Sequence, residues 1–522
     1  MLSDARHRPA GEIPVSETVR IVIAGAGLAA LRAAERLREM RFDGEIVLVG
    51  DELPKPYHRP ALSKNLLTGK APGDGLYLEG YQRLNAFWRL GTRISKLDHR
   101  RHALTLPGGE EMRYDGLIIA TGMQARTLSG APLHDPRVNV LRTLADGLAI
   151  RESIKQAQGP VVIVGSGFTG CEVASSVTQL GKKAIIIVRG DTLFTKALGQ
   201  ELGEKMTKLH IDHGVQLAPS IKEWDCRPEG VGLKLSDGQQ IMAGAVIIAT
   251  GTIPVTDWLH GSGLILEDGV LCEATTHVVG ANDVTAAGDV ARWPNLRFGD
   301  NEDPRRVEHW TNAVEMGRHA AEALLLGRKA SEPFCPMPRF WSEQHHMRIQ
   351  ACGIPALGTD TIALTPDRGG KLETEPKVVG YVRDGQLVGV VGVNASRAVV
   401  RWQEELERQL PIVTKSTMER RKQAEEIRRS QDELRRSQND LRRQSQPLRR
   451  RPAGMPLDPD TDWFENGFQE LMEYNRDNYR SGPQLPRDHP SYPGERVYPD
   501  ELRDSGARSR SRYSGTPRMP RR

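Results

Sequence analysis

At 522 residues the chain is long enough for three ordinary domains, each burying its own core. It has no run of 18 apolar residues, and the opening MLSDARHRPAGEIPVSE lacks the apolar segment of a secretory signal, so a soluble, cytoplasmic protein without membrane insertion is expected. The net charge of +5 sits at one end: residues 414–522 hold 24 Lys and Arg against 18 Asp and Glu, the rest 48 against 49, which leaves the body no global reason to bind nucleic acid.

The first element is VRIVIAGAGLAALRAAERLREM, Val19 to Met40, which has the pattern of a strand, a tight turn and a helix. Gly25, Gly27 and Ala30 fit G-x-G-x-x-G/A at that turn. The first glycine permits the turn, the second lets a pyrophosphate approach the backbone, and Ala30 keeps helix close to sheet. The free N–H groups of the helix start then face the phosphates. After the strand EIVLVG stands Asp51, 21 residues beyond Ala30, where an acid should hold a ribose hydroxyl. Strand, glycines, helix and acid at this spacing point to a bound dinucleotide.

Next come LPKPYHRPALSKNLLTG, which holds Lys64 but no cysteine, and the apolar strand YDGLIIATG ending at Gly122. PVVIVGSGFTGCEVASSVTQLGKK, from Pro160, repeats the nucleotide unit with Gly165, Gly167 and Gly170. Two such units imply two dinucleotides, and the natural pair is FAD with a diffusible nicotinamide that reduces it. Arg189 takes the place of the second unit's ribose-binding acid, which suits a 2′-phosphate, so NADPH is expected over NADH. AVIIATG, ending at Gly251, closes like YDGLIIATG, and the two mark where the chain leaves one domain and returns. Asp289, in TAAGDVA, ends a strand before a helix and can bond the ribityl and pyrophosphate region. From Phe340 the pattern alternates as antiparallel strands do, with RDG as a hairpin turn, and suggests a small α+β domain ending near Leu410.

Five cysteines, an odd number without a C-x-x-C pair, exclude a disulfide framework and a thioredoxin-like or zinc site, so no metal is expected and the thiols should be buried. In the tail, Ile427, Leu434, Leu441 and Leu448 give one apolar residue per heptad, which fits a solvated charged helix better than a coiled coil. After Pro447 the composition is that of disorder, interrupted by DWFENGFQELMEY, whose Phe464, Phe468, Leu471 and Met472 share a helical face that could dock or do nothing.

GAGLAALRAAERLR, IVLVGDELPKPYHRPALSK, GSGFTGCEVA, TAAGDVARW, RVEHWTNAVEMGRHAA and FWSEQHHMRIQACG together resemble the FAD-dependent ferredoxin reductases of bacterial oxygenase systems, the putidaredoxin reductase type, over residues 17–410. The resemblance implies an α/β, glutathione-reductase-like fold with two dinucleotide-binding domains, a small α+β C-terminal domain and a largely disordered Arg-rich tail. The domains would be FAD-binding, 17–127 and 253–330; an inserted NAD(P)-binding domain, 128–252; a C-terminal domain, 331–413; and the tail, 414–522. It places Ala29, Asp51, Lys64, Ile94, Arg142, Asp289 and Trp310 around FAD, and Arg59, Gly122 and Gly251 join the cofactor set. Lys64 would lie near flavin N5 and pair with Glu172, stabilising negative charge as hydride arrives. Trp341 would line the flavin pocket or belong to the small domain's own core. His58 and Ala61 depart from the Asp and Pro common in the family, and Arg189 from Glu.

Relatives that reduce disulfides or peroxides carry a cysteine early in the FAD domain; here the first is Cys171, inside the second fingerprint. The expected function is therefore an NAD(P)H:ferredoxin reductase, whose flavin takes a hydride and passes single electrons to an iron-sulfur protein serving an oxygenase. Two rivals are a redox-sensing flavoprotein of the apoptosis-inducing-factor class and an NAD(P)H oxidase. The basic tail could in addition tether an acidic partner.

Overall fold

The computed structural model describes residues 18–299, 303–365 and 377–420, with single positions between 423 and 436. The described residues up to Arg420 belong to one compact unit. The heptad positions, the Phe464–Met472 face, nearly all of the tail beyond Arg420 and the polar N-terminus lie outside the described residues.

The first sheet has five parallel strands in the order Val284–Ala286, Gly116–Ile119, Arg20–Ala24, Glu45–Val49, Phe87–Arg89. Its central strands read IVIA, IVLV and LII and are almost wholly buried, as in a parallel sheet covered on both faces; an antiparallel meander of Lys96–Asp98, Ala103–Thr105 and Glu111–Arg113 shares this core through Leu97, Leu104 and Met112. Helix α1 (Leu28–Glu39) follows the first strand.

The chain leaves this sheet after Gly116–Ile119 through Met123–Ala125, which pairs antiparallel with Thr252–Pro254 on the way back. Between the two passages a second parallel sheet is built in the order Gln216–Ala218, Ala184–Ile187, Val161–Val164, Ala245–Ile248, Val138–Val140. Its helices are α2 (Leu144–Gln156), α3 (Phe168–Gln179) and α4 (Thr195–Asp212). Helix α2 opens with a capping box: Asp146 N–H donates to Thr143 Oγ1, and the Asp146 carboxylate accepts from the Thr143 N–H. On return, α5 (Trp310–Leu326) packs on α1 beside the first sheet.

The third sheet is antiparallel: Arg339–Gln344, Met347–Gly353, Gln386–Val393, Val378–Arg383, Asp360–Leu364. The RDG hairpin turns at Asp384 and Gly385, both with positive φ as a two-residue turn of this kind needs. Helix α6 (Ser396–Gln409) lays its apolar side on this sheet. The sheet shares one core with the second nucleotide unit, Ile349, Val379 and Val391 packing with Ile163, Val177 and Leu198.

Beyond Leu410 the chain stays packed against the body. Val413 is 1% exposed against Leu296 and Cys335, with Met418 packed beside them. Cys226 corrects the expectation of buried thiols: it lies exposed on Ile221–Arg227, a strand of a small antiparallel meander, while the other four cysteines are buried.

Candidate active site

A cleft of about 1640 Å³ runs between the two nucleotide units and the third sheet. That exceeds the ~300–1,000 Å³ of a single small-molecule pocket and leaves room for two dinucleotides. Each wall carries one fingerprint. At Gly25, φ is +123° and a Cβ would stand 2.2 Å from the Ala120 carbonyl oxygen, so only glycine lets the turn close against the neighbouring strand. At Gly27, the residue capping α1, nothing lies within 4 Å of a Cβ, and no side chain bonds the helix start. The second wall repeats this: Gly165 has φ +134° and a Cβ would meet the Ala249 oxygen at 2.2 Å, while Gly167 is open. The open glycines bare helix N–H groups to the cleft, where an anionic phosphate fits.

The structure brings most of the sequence-derived residues to this one cleft: Gly25, Gly27, Ala29, Asp51, Arg59, Lys64, Ile94, Gly122, Arg142, Gly165, Gly167, Glu172, Arg189, Gly251, Asp289, Trp310 and Trp341 all line it. Two do not. Ala30 is wholly buried, and a Cβ at Gly170 would strike the Gly165 oxygen at 2.2 Å. Both sit behind the wall and set how closely helix packs on strand, the role the motif gives its third position. Asp51 and Arg189 stand exposed beyond their strands, and among the described residues neither has an ion-pair partner.

The floor is polar and tightly held. Leu62, Leu66 and Leu67 bury their side chains and anchor the loop that carries Lys64, at about 1.5–3 kcal/mol each. Lys64 Nζ lies 2.6 Å from Glu172 Oε2 and donates to the Pro60 carbonyl at 3.0 Å. Glu172 also accepts from Ser63 Oγ and Ser342 Oγ, each at 2.5 Å. One face of α3 thus serves three neighbours: Glu172 takes Lys64, Ser176 Oγ donates to the Ser63 carbonyl, and Ser175 Oγ accepts the His345 N–H.

A second network fixes the adjoining rim. Tyr57 OH donates to Glu52 Oε2 at 2.6 Å, and Arg59 donates to Glu52 Oε1, to Tyr57 OH and to the Arg142 carbonyl. Burial pushes the Tyr57 phenol up, and it stays protonated. Arg142 pairs with Asp289 at 3.1 Å, with Tyr57 and Glu52 behind it. Above the floor stand Trp310, edge-on to His58 at 4.7 Å, and Phe340, stacked on His309 at 5.0 Å and near Phe168. Burial holds His309 below its ordinary range, so its ring is neutral.

His309, Phe168, Phe340, Ser63, Ser342 and the Glu52–Tyr57 pair were not singled out from the sequence. The only hint was their place inside quoted motifs, RVEHW, FWSEQ, GSGFTG and DELPKPYHRPALSK. No cysteine lines the cleft among the described residues; Cys171 is buried with its Sγ toward the Ser166 carbonyl.

Residues 19–317 match the pyridine nucleotide-disulphide oxidoreductase family. The chain belongs to that family. A reductase C-terminal match over residues 339–427 accounts for the third sheet and α6. This oxidoreductase is 33% identical over 383 residues to the biphenyl dioxygenase system ferredoxin–NAD(+) reductase component of Paraburkholderia xenovorans (strain LB400), covering 72% of this chain and 90% of that protein. It is 33% identical over 389 residues to the 5,5′-dehydrodivanillate O-demethylase ferredoxin reductase subunit of Sphingobium sp., covering 73% and 91%. The crystal structure of the covalent putidaredoxin reductase–putidaredoxin complex superposes with a TM-score of 0.69 at 26% identity, over 76% of this chain and 94% of that one.

Membership of the pyridine nucleotide-disulphide oxidoreductase family implies FAD and a nicotinamide dinucleotide, and the cleft fits both. It has two open glycines over free helix starts, an acid beyond the first strand and an arginine beyond the second. Among the described residues no helix is long and apolar enough to cross a membrane.

Proposed function

We propose that the chain is an FAD-dependent NAD(P)H:ferredoxin reductase: NAD(P)H and two oxidised iron-sulfur proteins give NAD(P)+, two reduced iron-sulfur proteins and one proton, the electrons serving an oxygenase. The observation that carries this is the Lys64–Glu172 ion pair at the meeting of the two nucleotide walls, in a cleft that no cysteine lines among the described residues. Without a thiol to relay them, electrons leave the site directly.

Bound FAD supplies the chemistry that converts one hydride into two single electrons. The protein's residues do the rest. Gly27 and the start of α1 hold the pyrophosphate of FAD, Asp51 its ribose, and Arg142 with Asp289 the segment between pyrophosphate and ring. Lys64 presents an ammonium where negative charge develops, and Glu172, 2.6 Å away, aims it. Gly167 and the start of α3 hold the nicotinamide dinucleotide. Trp310, Phe340 and Trp341 exclude water above the floor.

Arg189 supports NADPH, because an exposed guanidinium at the end of the second strand matches a 2′-phosphate. The names of the relatives point to NAD(+), so the cofactors are to be compared in parallel. Stopped-flow reduction of the yellow protein by NADPH and NADH, followed by a panel of small iron-sulfur proteins, tests the reading. Expected are flavin bleaching, faster with NADPH, and cytochrome c reduction that depends on an added iron-sulfur protein. Rapid oxygen consumption without such a protein, or a chain that cannot be made yellow, would overturn it.

A further inference from the structure

A hydrogen-bonded line leaves the cleft at Glu172 and runs outward through the protein. Ser342 Oγ lies 2.5 Å from Glu172 Oε1, and Gln344 Nε2 lies 2.9 Å from Ser342 Oγ. His210 Nε2 is 2.8 Å from Gln344 Oε1, and His345 Nε2 is 3.0 Å from His210 Nδ1. None of the five residues is more than 7% exposed. At the outer end His345 stacks on exposed His213, ring centroids 4.4 Å apart. The line draws on three distant parts of the chain: α3, α4 and the hairpin Arg339–Gly353.

The direction of every bond is forced. A carboxylate paired with an ammonium only accepts, so the Ser342 hydroxyl donates to Glu172. That hydroxyl has one hydrogen, so Ser342 Oγ takes its other bond from the Gln344 amide nitrogen. The Gln344 carbonyl is thereby turned to His210, whose Nε2 must carry the hydrogen. Burial keeps His210 below its ordinary range, and burial with His210, His213 and His346 pushes His345 down to about 3. A neutral imidazole has one N–H, so His210 Nδ1 accepts and His345 Nε2 donates. All four bonds point at Glu172.

The backbone shows that His345 is held in place against its own preference. His345 and His346 form the turn between Arg339–Gln344 and Met347–Gly353 with φ of 47° and 64°, consecutive left-handed residues where Asn-Gly would be favoured. The turn is tied to α3, the helix of Glu172, by the His345 N–H to Ser175 Oγ bond of 2.8 Å. Nothing in the fold of the hairpin requires a histidine here; the contact to His210 does.

We propose that His210 and His345 are positioning residues for the proposed reaction: acting through Gln344 and Ser342, they aim a one-way line of donors at Glu172 and so fix the carboxylate that holds Lys64 in the cleft. This rests on the proposed role of the Lys64–Glu172 pair. Because both imidazoles are neutral near pH 7, the line works as a rigid director and not as a pH switch.

The test is a double-mutant cycle on the FAD-loaded full chain, read by the flavin midpoint potential, the rate of flavin reduction by NADPH, and FAD content. His210→Leu removes the donor to Gln344; the midpoint should fall by about 30 mV, the equivalent of a tenfold change for a two-electron couple, and reduction should slow about tenfold with KM for NADPH unchanged. His210→Gln keeps an N–H near Nε2 and should restore both. In a Glu172→Gln background His210→Leu should add nothing. Ser342→Ala, a smaller change one bond from Glu172, should reproduce the shift and stands in if His210→Leu does not fold. An unshifted midpoint in His210→Leu or Ser342→Ala with FAD retained overturns the proposal. An unshifted midpoint in Glu172→Gln alone overturns instead the role of the pair itself.

Discussion

Gly165 and Gly167 stand two residues apart in one motif, and the geometry assigns them different failures. An alanine at Gly165 would hold φ near +134°, and its Cβ would press 2.2 Å from the Ala249 carbonyl oxygen. Backbone strain of about 1–3 kcal/mol adds to an overpacking cost of about 1–3 kcal/mol, so Gly165→Ala should lose about 2–6 kcal/mol of stability. Gly167 has ordinary extended backbone, φ −88°, with nothing within 4 Å of its absent Cβ. Gly167→Val should leave the fold intact and fill the space a pyrophosphate needs. Each charge-assisted bond lost from the helix start costs about 1.5–3 kcal/mol, which at 1.4 kcal/mol per decade is roughly 10- to 150-fold in affinity for the nicotinamide cofactor. The assays are thermal unfolding and FAD absorbance for the fold, and the concentration dependence of flavin reduction for affinity. Undiminished cofactor binding by Gly167→Val, or a Gly165→Ala chain as stable as the natural one, would refute this division of roles.

Arg189→Glu should raise KM for NADPH roughly 10- to 150-fold, the loss of one charge-assisted bond, with KM for NADH unchanged or lower in parallel steady-state assays. Lys64→Met strands the buried Glu172 carboxylate and should cost about 3–5 kcal/mol; Lys64→Met with Glu172→Leu should cost clearly less than the two changes summed, as read by urea unfolding of the FAD-loaded protein. Burial, with Arg328 and His319 adding, lowers His277 to about 4, against about 6.5 when unfolded. The unfolded chain therefore takes the proton first, so this stability is whole above pH 6.5 and lost as pH falls toward 4, roughly 3 kcal/mol at most. Thermal midpoints from pH 8 to 4.5 should show this fall, flattened in His277→Asn.

The lysine loop shows where the sequence stopped being legible. LPKPYHRPALSK gave Lys64 and the resemblance gave its partner, yet Glu172 is 108 residues further along and nothing local fixes the geometry of the pair. Packing of Leu62, Leu66 and Leu67 does so, together with the Ser176–Ser63 bond. His210 and His345 were invisible for the same reason. A histidine on the apolar side of α4 and another in a hairpin turn have no shared periodicity, and only the third sheet folding onto the second nucleotide unit brings them within 3.0 Å. Cys226 was misjudged because its strand lies on an exposed meander, which the apolar count of a short segment does not reveal.

By itself the sequence determined the two nucleotide walls, since glycines, strand and helix at fixed spacing are local devices whose geometry follows from φ, Cβ clearance and unpaired N–H groups. It also determined the absence of an early cysteine and the placing of an arginine where an acid is usual. Only the tertiary structure decided that the walls face a common floor, that Lys64 and Glu172 meet there, and that a chain of donors stands behind them. Those contacts join residues up to 170 positions apart, and the directions of their hydrogen bonds follow from which donors and acceptors meet there, not from local pattern.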